Sequence, residues 1–203
     1  MQYYAPSFLR AIEELHKLPG IGPKSAEKLS SYLLKMDFDS FQQFIDALEQ
    51  MRHRVRRCKR CFNLTEDEFC PVCQDPSRNQ HQICIVEESR DLISIEKTGV
   101  YRGLYHVLQG VLRPVEGINA DKIRIRELLH RIKQEPVEEI IMATNLTYDG
   151  ELTALYIARE IKGFPIKITR IASGLPMGSD LEFADQLTIK SAFKGRESMD
   201  LED

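Results

Sequence analysis

Apolar residues recur at helical spacing through the first quarter of the chain. Between residues 8 and 15 they repeat every three or four positions, which predicts a helix over residues 7–18. A second amphipathic stretch predicts a helix over residues 24–36, with lysines on the face opposite its apolar stripe. A third helix is predicted to begin at residues 38–40 and to run toward the cysteines. We expect no strand before residue 79.

After residue 79 the pattern changes to short apolar runs that alternate with helical stretches. The predicted strands span residues 82–87, 101–108, 138–144 and 165–172. The predicted helices lie between them, at residues 89–98, 121–134 and 150–162. Strands that alternate with helices favour an α/β layer around a mostly parallel sheet.

Composition places the chain among globular proteins. It has 203 residues, of which 42% are hydrophobic and 29% are charged, so it is long enough for one large domain or two small ones. Its apolar runs are only a few residues long, whereas a membrane helix needs about 20. The start of the chain also lacks a secretion signal. We therefore expect a soluble intracellular protein without a membrane partner, and a frayed acidic tail at residues 197–203.

The charge is unevenly distributed along the chain. The net charge is −3, which by itself does not indicate a nucleic-acid partner. Residues 52–60, however, contain six lysines and arginines and no acidic residue. On charge alone, such a run is as compatible with a solvated face as with a nucleic-acid contact.

Four of the five cysteines form two closely spaced pairs. They are Cys58, Cys61, Cys70 and Cys73, two Cys-x-x-Cys pairs with eight residues between them. This spacing is typical of a tetrahedral zinc site, and disulfides are not expected in a chain that is not secreted. Four sulfur ligands leave no open position, so the predicted site is structural, and Arg57, Lys59 and Arg60 would offset its negative charge. Cys84 lies in an apolar run and is predicted to be a buried small side chain.

A glycine-rich turn separates the first two predicted helices. Gly20 and Gly22 let the chain turn sharply and expose backbone N–H groups where the second helix begins, a position that favours a phosphate. Lys24 and Lys28, one helical turn apart, would flank that phosphate and bind DNA without reading its sequence. The turn is not a P-loop, because no strand precedes it. The alternative is an ordinary helical hairpin with solvated lysines, and we favour DNA binding.

Three acidic residues follow predicted strands. Glu87 ends one strand, and Asp149 and Glu151 lie just beyond another, where a helix begins. Ligand sites of parallel sheets lie beyond the carboxyl ends of their strands, and three carboxylates meeting there would suit Mg²⁺. Alternatively, Asp149 and Glu151 only complement the N-terminus of the helix.

The last motif is a loop rich in glycine and proline at residues 170–178, which follows the final predicted strand. Acidic residues come after it, between residues 180 and 185. These acids indicate either a subunit contact or simply a polar helix.

The order of the motifs is more specific than any one of them. From the N-terminus they read LPGIGPKSA, CxxC-x8-CxxC, IVEE, ATNLTYDGELTALYIA, and RIASGLPMG followed by LEFADQLT. Together they resemble the RecR family of bacterial recombination mediators, over about residues 5–196. The resemblance implies an α+β multidomain chain. Its implied parts are a helix-hairpin-helix domain at 1–53, a four-cysteine zinc finger at 54–79, an α/β Toprim domain with a mostly parallel sheet at 80–176, and a C-terminal assembly segment with the acidic tail at 177–203.

The same resemblance implies a function. Members of this family act as ring-like homotetrameric clamps that work with RecO and RecF to load RecA on gapped DNA in recombinational repair. We therefore expect a cytoplasmic, nucleoid-associated protein without catalytic turnover that binds single- and double-stranded DNA without sequence specificity. We expect one structural Zn²⁺ per chain, with Mg²⁺ as a possible second ion.

Residue roles carry over by position. The family's hairpin lysines correspond to Lys24 and Lys28, and its Toprim acids to Glu87, Asp149 and Glu151. The zinc ligands correspond to the four paired cysteines. We add the glycines of the turn and three arginines of the basic run as DNA-binding candidates, namely Gly20, Gly22, Arg52, Arg54 and Arg56.

The chain departs from the family pattern at three positions. The family usually has Asn-Pro-x-x-Glu-Gly-Glu where this chain reads NLTYDGE from residue 145. Leu146 therefore replaces a proline, and Asp149 is one methylene shorter than the usual glutamate. Ser173 stands where a histidine is common.

The rival function is a Toprim-type metal-dependent nuclease. Toprim sheets of topoisomerases, primases and some nucleases use such acids with Mg²⁺ for phosphoryl transfer. A topoisomerase needs a tyrosine nucleophile held by further domains, and a primase needs a nucleotide site and a template channel, so a nuclease alone fits this length. No nucleophile or general base is evident beside the acids. We therefore expect them to serve assembly, through contacts with RecO or with DNA ends.

Overall fold

The computed structural model describes residues 3–196, and the chain divides into two compact units, Met1–Val55 and Arg56–Asp203. The first unit consists of three helices. They are α1 (Pro6–His16), α2 (Pro23–Lys35) and α3 (Phe38–Arg54). The three predicted helices are confirmed, with ends that shift by one or two residues. Pro6 and Pro23 occupy the first turns of their helices, where a missing N–H costs no hydrogen bond.

The first unit buries few side chains. Helices α1 and α2 pack together around Ile12 and Ala26. No side chain of α3 is fully buried, although its apolar stripe was clear in the sequence. Phe44 and Leu48 of that stripe are 42% and 44% exposed, so residues 3–196 leave much of the α3 stripe uncovered.

The second unit opens with a small antiparallel ribbon around the cysteines. Strand β1 (Arg56–Arg57) pairs with β2 (Leu64–Thr65), and the one-turn helix α4 (Pro71–Gln74) follows. The expectation of no strand before residue 79 was therefore wrong. Each of these strands is two residues long, and such a strand has no alternation that a sequence pattern could reveal.

A four-stranded sheet forms the centre of the second unit. Its strands are β3 (Asn79–Val86), β4 (Gly103–Val107), β5 (Glu139–Met142) and β6 (Lys167–Arg170). They lie in the order β4-β3-β5-β6, and each neighbouring pair is parallel. The connecting helices are α5 (Ser89–Glu96), α6 (Ile125–Gln134) and α7 (Tyr148–Glu160). The predicted α/β layer with a parallel sheet is confirmed.

The central strand β3 is buried on both faces. Ile83 and Ile85 face one apolar cluster, whereas Cys84 and Val86 face another. Such a strand reads as a continuous apolar run, which is the pattern of the sequence here. Cys84 is 2% exposed, as predicted, and burial raises the pKa of its thiol to about 12.

The last helix of the described residues, α8 (Gln186–Lys194), was not predicted from the sequence. The Asp185 carboxylate caps it by accepting hydrogen bonds from the backbone N–H groups of Leu187 and Thr188, at 2.8 and 3.0 Å. At least this acid of the 180–185 segment therefore has a local role.

The predicted acidic tail, residues 197–203, lies outside the described residues, and the predicted domain boundaries stay a prediction. Within residues 3–196, each helix is too short or too polar to cross a membrane.

Candidate metal centre and nucleic-acid interface

The four paired cysteines meet in space. Their sulfur atoms all lie within 4.8 Å of one another, and three of the four side chains are fully buried. Each pair closes a tight turn, since the Phe62 N–H donates to the Cys58 carbonyl at 3.0 Å and the Cys73 N–H to the Cys70 carbonyl at 2.9 Å. The first turn is possible because Phe62 adopts a left-handed conformation, with φ of 65°.

The donor set of this cluster fits zinc. Hydrogen bonds among the four cysteines lower the pKa of the Cys58 thiol below its usual range and raise the pKa values of Cys61 and Cys73. The backbone N–H of Cys70 also points at the Cys58 sulfur, 3.3 Å away. Four soft sulfur donors at mutual contact suit a tetrahedral zinc ion and leave no position for a substrate. The arrangement is therefore that of a structural site.

Two of the basic residues that were predicted to offset the negative charge of the cysteines, Lys59 and Arg60, are each paired with a glutamate. Lys59 pairs with the exposed Glu68 at 3.0 Å, and Arg60 donates two hydrogen bonds to Glu135 at 3.0 and 2.9 Å. The bond to Glu135 raises the pKa of Arg60, and the nearby cysteines Cys61 and Cys73 add to this shift. Arg60 thus also joins residues 56–74, the cysteine segment, to the end of α6.

The cysteine segment and the sheet form one packed structure. The Cys61 carbonyl accepts a hydrogen bond from the Val107 N–H of β4 at 2.8 Å, and the Gln109 side chain donates to the Phe62 carbonyl at 2.7 Å. Three of the four cysteines belong to the same buried cluster as Cys84 of β3. The segment therefore covers one face of the sheet, which the cysteine spacing alone did not indicate.

The glycine turn, where the sequence predicts a phosphate site, lies immediately before α2, and phosphate binding there stays a prediction. Gly20 has φ of 81°, a conformation that side chains rarely adopt, and a Cβ at Gly20 or Gly22 would meet open space. Gly22 is the N-cap of α2 and has no side chain to bond the first N–H groups of the helix. Those donors therefore remain available to a ligand.

The hairpin lysines lie together on the exposed face of α2. Lys24, Lys28 and Lys35 line a shallow groove of about 480 Å³ on the surface of this helix. Glu27, which also lines it, accepts a hydrogen bond from the Tyr4 hydroxyl. Lys24 and Lys28 themselves are exposed, next to the uncapped start of the helix.

The basic run is divided between the two units. Arg52 and Arg54 are exposed in the last turn of α3, in the first unit. Arg56 is exposed in β1, in the second unit. Their role in DNA binding stays a prediction.

Glu87 orders the loop that follows β5. It is 9% exposed, and its two carboxylate oxygens accept hydrogen bonds from the backbone N–H and the side-chain amide of Asn145, each at 2.7 Å. A Cβ on Gly150 would lie 2.8 Å from a Glu87 oxygen and 2.1 Å from the Asn145 carbonyl. Because Gly150 has no side chain, the start of α7 can lie close to Asn145 and Glu87. Sequence reasoning missed the role of Asn145, although it belongs to the quoted motif.

Asp149 and Glu151 lie in the first turn of α7, as predicted. The Asp149 carboxylate accepts a hydrogen bond from Arg113 at 2.9 Å, and Glu151 pairs with Arg170. Within residues 3–196, only the four cysteines form a group of three or more ligating side chains whose donor atoms all lie within 4.8 Å. Each of the three acids instead has its own donor partner, and Mg²⁺ binding by them stays a prediction.

Comparison with known protein families assigns the chain in four successive segments. The RecR helix-hairpin-helix model matches residues 8–52, and the RecR four-cysteine zinc finger model matches residues 55–75. The Toprim domain model matches residues 81–172, and the RecR C-terminal model matches residues 174–197. The four-cysteine cluster and the parallel sheet thus lie within the zinc finger and Toprim matches.

Similar proteins from several bacteria match almost the whole chain. A protein of Carboxydothermus hydrogenoformans is 48% identical over 96% of this chain and 98% of its own length. One from Herpetosiphon aurantiacus is 48% identical over 94% of this chain and 93% of its own, and one from Rubrobacter xylanophilus is 45% identical over 98% and 100%. All three are named recombination protein RecR. With this identity over nearly its full length, the chain belongs to the RecR family.

Proposed function

We propose that this chain is a non-catalytic DNA-binding mediator of recombinational repair. It acts as a homotetrameric clamp with RecO and RecF to load RecA on gapped DNA, in the bacterial cytoplasm at the nucleoid. The observation that carries the proposal is the pair of exposed lysines, Lys24 and Lys28, beside the uncapped start of α2. The relatives named recombination protein RecR support the same role.

The hairpin binds the phosphate backbone. N–H groups at the start of a helix attract a phosphate, and two lysines one turn apart add charge on the same face. None of these groups reads a base edge, so binding is independent of sequence. Arg52, Arg54 and Arg56 add weaker contacts at the end of α3 and in β1.

Removing the two lysines tests this contact. Lys24→Ala with Lys28→Ala should weaken binding to gapped DNA and reduce the log–log salt slope by roughly 0.9 for each duplex phosphate that the variant no longer neutralises. The measurement is fluorescence anisotropy of labelled gapped DNA at several salt concentrations. Arg10→Ala, which removes an exposed cation from α1 of the same unit, is the matched control and should bind like the parent. Unchanged binding by the double variant would remove the hairpin from the DNA site.

One zinc ion per chain is held by Cys58, Cys61, Cys70 and Cys73. Its role is structural, because four thiolates saturate a tetrahedral ion. Zinc binding contributes to the folding free energy of the segment that provides its ligands.

Two exposed apolar surfaces support assembly into a tetramer. Leu48 and Met51 on α3 are 44% and 57% exposed, and Phe183 and Phe193 near the C-terminus are 79% and 67% exposed. Large apolar side chains that are this exposed are candidates for burial against other chains. A native mass measurement with and without DNA counts the subunits directly.

The pairing of the three acids favours a mediator over a nuclease. Mg²⁺ takes oxygen ligands, but Glu87 already accepts hydrogen bonds from Asn145, Asp149 accepts one from Arg113, and Glu151 forms an ion pair with Arg170. The guanidinium groups of Arg113 and Arg170 lie beside Asp149 and Glu151 and would repel a divalent cation there. Incubation of the purified protein with labelled gapped DNA and Mg²⁺ or Mn²⁺ tests the rival function, and we expect the DNA to remain intact.

The same acids meet RecO in this proposal. Asp149 and Glu151 stand at the carboxyl edge of the sheet, where charge complementarity would select a basic partner surface. Asp149→Asn with Glu151→Gln should weaken RecO binding more than DNA binding and leave the fold intact. Glu160→Gln, an exposed acid at the other end of α7, is the matched control. Equal RecO binding by the parent and the double variant would contradict this assignment.

A further inference from the structure

A groove of about 740 Å³ lies between the cysteine segment and helix α6. Both walls belong to the second unit. Phe62 and Phe69 come from the cysteine segment, whereas Arg126 and Arg131 come from α6. The groove is separate from the hairpin and from the acids that follow the strands, and it shares no lining residue with either.

The floor of the groove contains a buried cation with spare hydrogen-bonding capacity. The Arg131 side chain is 6% exposed and donates to the Tyr105 carbonyl at 2.7 Å and to Glu135 at 3.0 Å. Its remaining nitrogen, Nη2, is buried without a hydrogen-bond partner among the described residues. Glu135 also binds Arg60, so one carboxylate serves two guanidinium groups and the floor stays positive.

The rim of the groove is positive as well. Arg126 is exposed and pairs with no carboxylate within residues 3–196. Lys59 pairs only with Glu68, and both of these side chains are more than half exposed, so the pair is weak. The acid on this rim, Glu127, is bound by Arg124, whose guanidinium lies 5.2 Å from the Phe62 ring centroid.

Phe69 places an exposed aromatic ring among these cations. It is 38% exposed, and it immediately precedes Cys70. The Gln74 side chain donates to its carbonyl at 2.9 Å, which helps to hold this part of the backbone. Aromatic rings beside a cationic groove are the usual means of binding single-stranded nucleic acid, because every base can stack and every phosphate is negative. An acidic peptide would use the cations but gain little from the ring.

We propose that this groove binds single-stranded DNA, with a base stacked on Phe69 and the adjacent phosphates held by Arg126 and Lys59. The inference rests on the proposed DNA-binding function and adds a second contact, for the unpaired strand of a gap. Duplex DNA would depend on the hairpin lysines, whereas single-stranded DNA would depend on the groove.

The test compares the two kinds of DNA with the full-length protein. Anisotropy of a labelled oligodeoxythymidylate and of a labelled duplex is measured for the parent, Phe69→Leu, Phe69→Tyr and Arg126→Ala. Lys133→Ala, which removes an exposed cation of α6 outside the groove, is the matched control. Zinc content and thermal unfolding of each variant show whether the cysteine segment is intact, and an oligonucleotide with 5-iodouracil locates the bound base by photocrosslinking.

Phe69→Leu should weaken single-strand binding about fivefold or more, since stacking of a base on an aromatic ring is worth about 1–3 kcal/mol. Phe69→Tyr keeps the ring and should bind within about twofold of the parent. Arg126→Ala should lower the single-strand salt slope by roughly 0.7 for its phosphate. Duplex binding should be unchanged in all of them, and the crosslink should map to Phe69.

Three results would overturn the proposal. One is parental single-strand binding by Phe69→Leu, and another is an equal loss in Arg126→Ala and Lys133→Ala. The third concerns a labelled polyglutamate peptide, whose binding is measured in the same way. The proposal fails if the groove variants bind this peptide more weakly than the parent does but bind single-stranded DNA as well as the parent does. Because duplex binding by the parent is measured in the same experiment, a failure of the groove is distinguishable from a failure of the proposed DNA-binding function. If Phe69→Leu loses zinc, the crosslink position in the parent decides.

Discussion

At the scale of single residues, the chemistry of this chain depends on partners that are distant in sequence. Glu87 is held by Asn145, and Asp149 is bound by Arg113. Arg60 reaches Glu135, 75 positions along the chain. Burial would raise the pKa of Glu135, but the bonds from Arg60 and Arg131 lower it below its usual range. These pairs fix the loops and segments around the candidate sites.

His106 is the residue that we expect to control stability in mild acid. It is fully buried on β4, where its Nε2–H donates to the Arg124 carbonyl at 2.7 Å while its Nδ1 has no partner among the described residues. Burial lowers the pKa of His106 to about 4, compared with about 6.5 in an unfolded chain. Between these values the unfolded chain binds a proton that the folded chain does not. Stability is therefore full above pH 6.5, and it falls as the pH drops toward 4.

The expected loss is about 2 kcal/mol in the free energy of unfolding between pH 7 and pH 5. His106→Gln keeps a donor near the Arg124 carbonyl without the titration, and it should lose most of this pH dependence. Urea unfolding of both proteins at the two pH values measures it. Equal pH dependence in parent and variant would show that His106 is not the source.

Sequence patterns predicted those residues whose role depends on spacing. The two Cys-x-x-Cys pairs indicated a four-sulfur site, and the apolar run around Cys84 indicated a buried strand. The partners of Glu87, Asp149 and Glu151 were not predictable, because a side-chain pair between distant segments leaves no period in the sequence. The ring of Phe69 and the cation of Arg126 likewise become neighbours only once the cysteine segment folds against α6.

At the scale of elements, the cysteine segment and strand β4 depend on each other. The carbonyl of Cys61 accepts the N–H of Val107, and the buried cysteines pack in the same cluster as the sheet. Short irregular elements such as β1 and β2 were missed in the sequence, whereas the long amphipathic helices and buried strands were found. For β1 and β2 the reason is length, since a period can be recognised only over several residues. The nine-residue helix α8 was missed as well, although it is at least as long as α5, which was found.

Loss of one zinc ligand should therefore destabilise the sheet as well as the segment. We expect Cys58→Ser or Cys73→Ser to lose metal, to lower the temperature of unfolding and to reduce solubility, because metal binding is part of the folding free energy. Metal analysis and thermal unfolding measure both effects. Cys84→Ala, which alters a buried cysteine outside the cluster, should still bind one zinc ion per chain. Protein prepared without chelator that contains no zinc would contradict the assignment, as would a serine variant of unchanged stability.

At the scale of the whole molecule, the proposed function assigns different roles to different surfaces. We assign the exposed lysines on α2 and the groove beside Phe69 to DNA binding, whereas the acids beyond the strands have partners of their own. We assign the exposed apolar surfaces of α3 and of the C-terminal segment to assembly. The fold and the order of its parts were predictable from sequence motifs, because these motifs occur in one order along nearly the whole chain.

The most direct test of the central claim is to follow RecA filament formation on gapped DNA in the presence of RecO, RecF and Mg²⁺, with the integrity of the DNA measured in the same reaction. We predict that the chain accelerates RecA loading, that Lys24→Ala with Lys28→Ala loses this acceleration, and that the DNA stays uncut. Metal-dependent cleavage by the parent that disappears in Asp149→Asn with Glu151→Gln, without any effect on RecA loading, would contradict the proposed function and establish a nuclease.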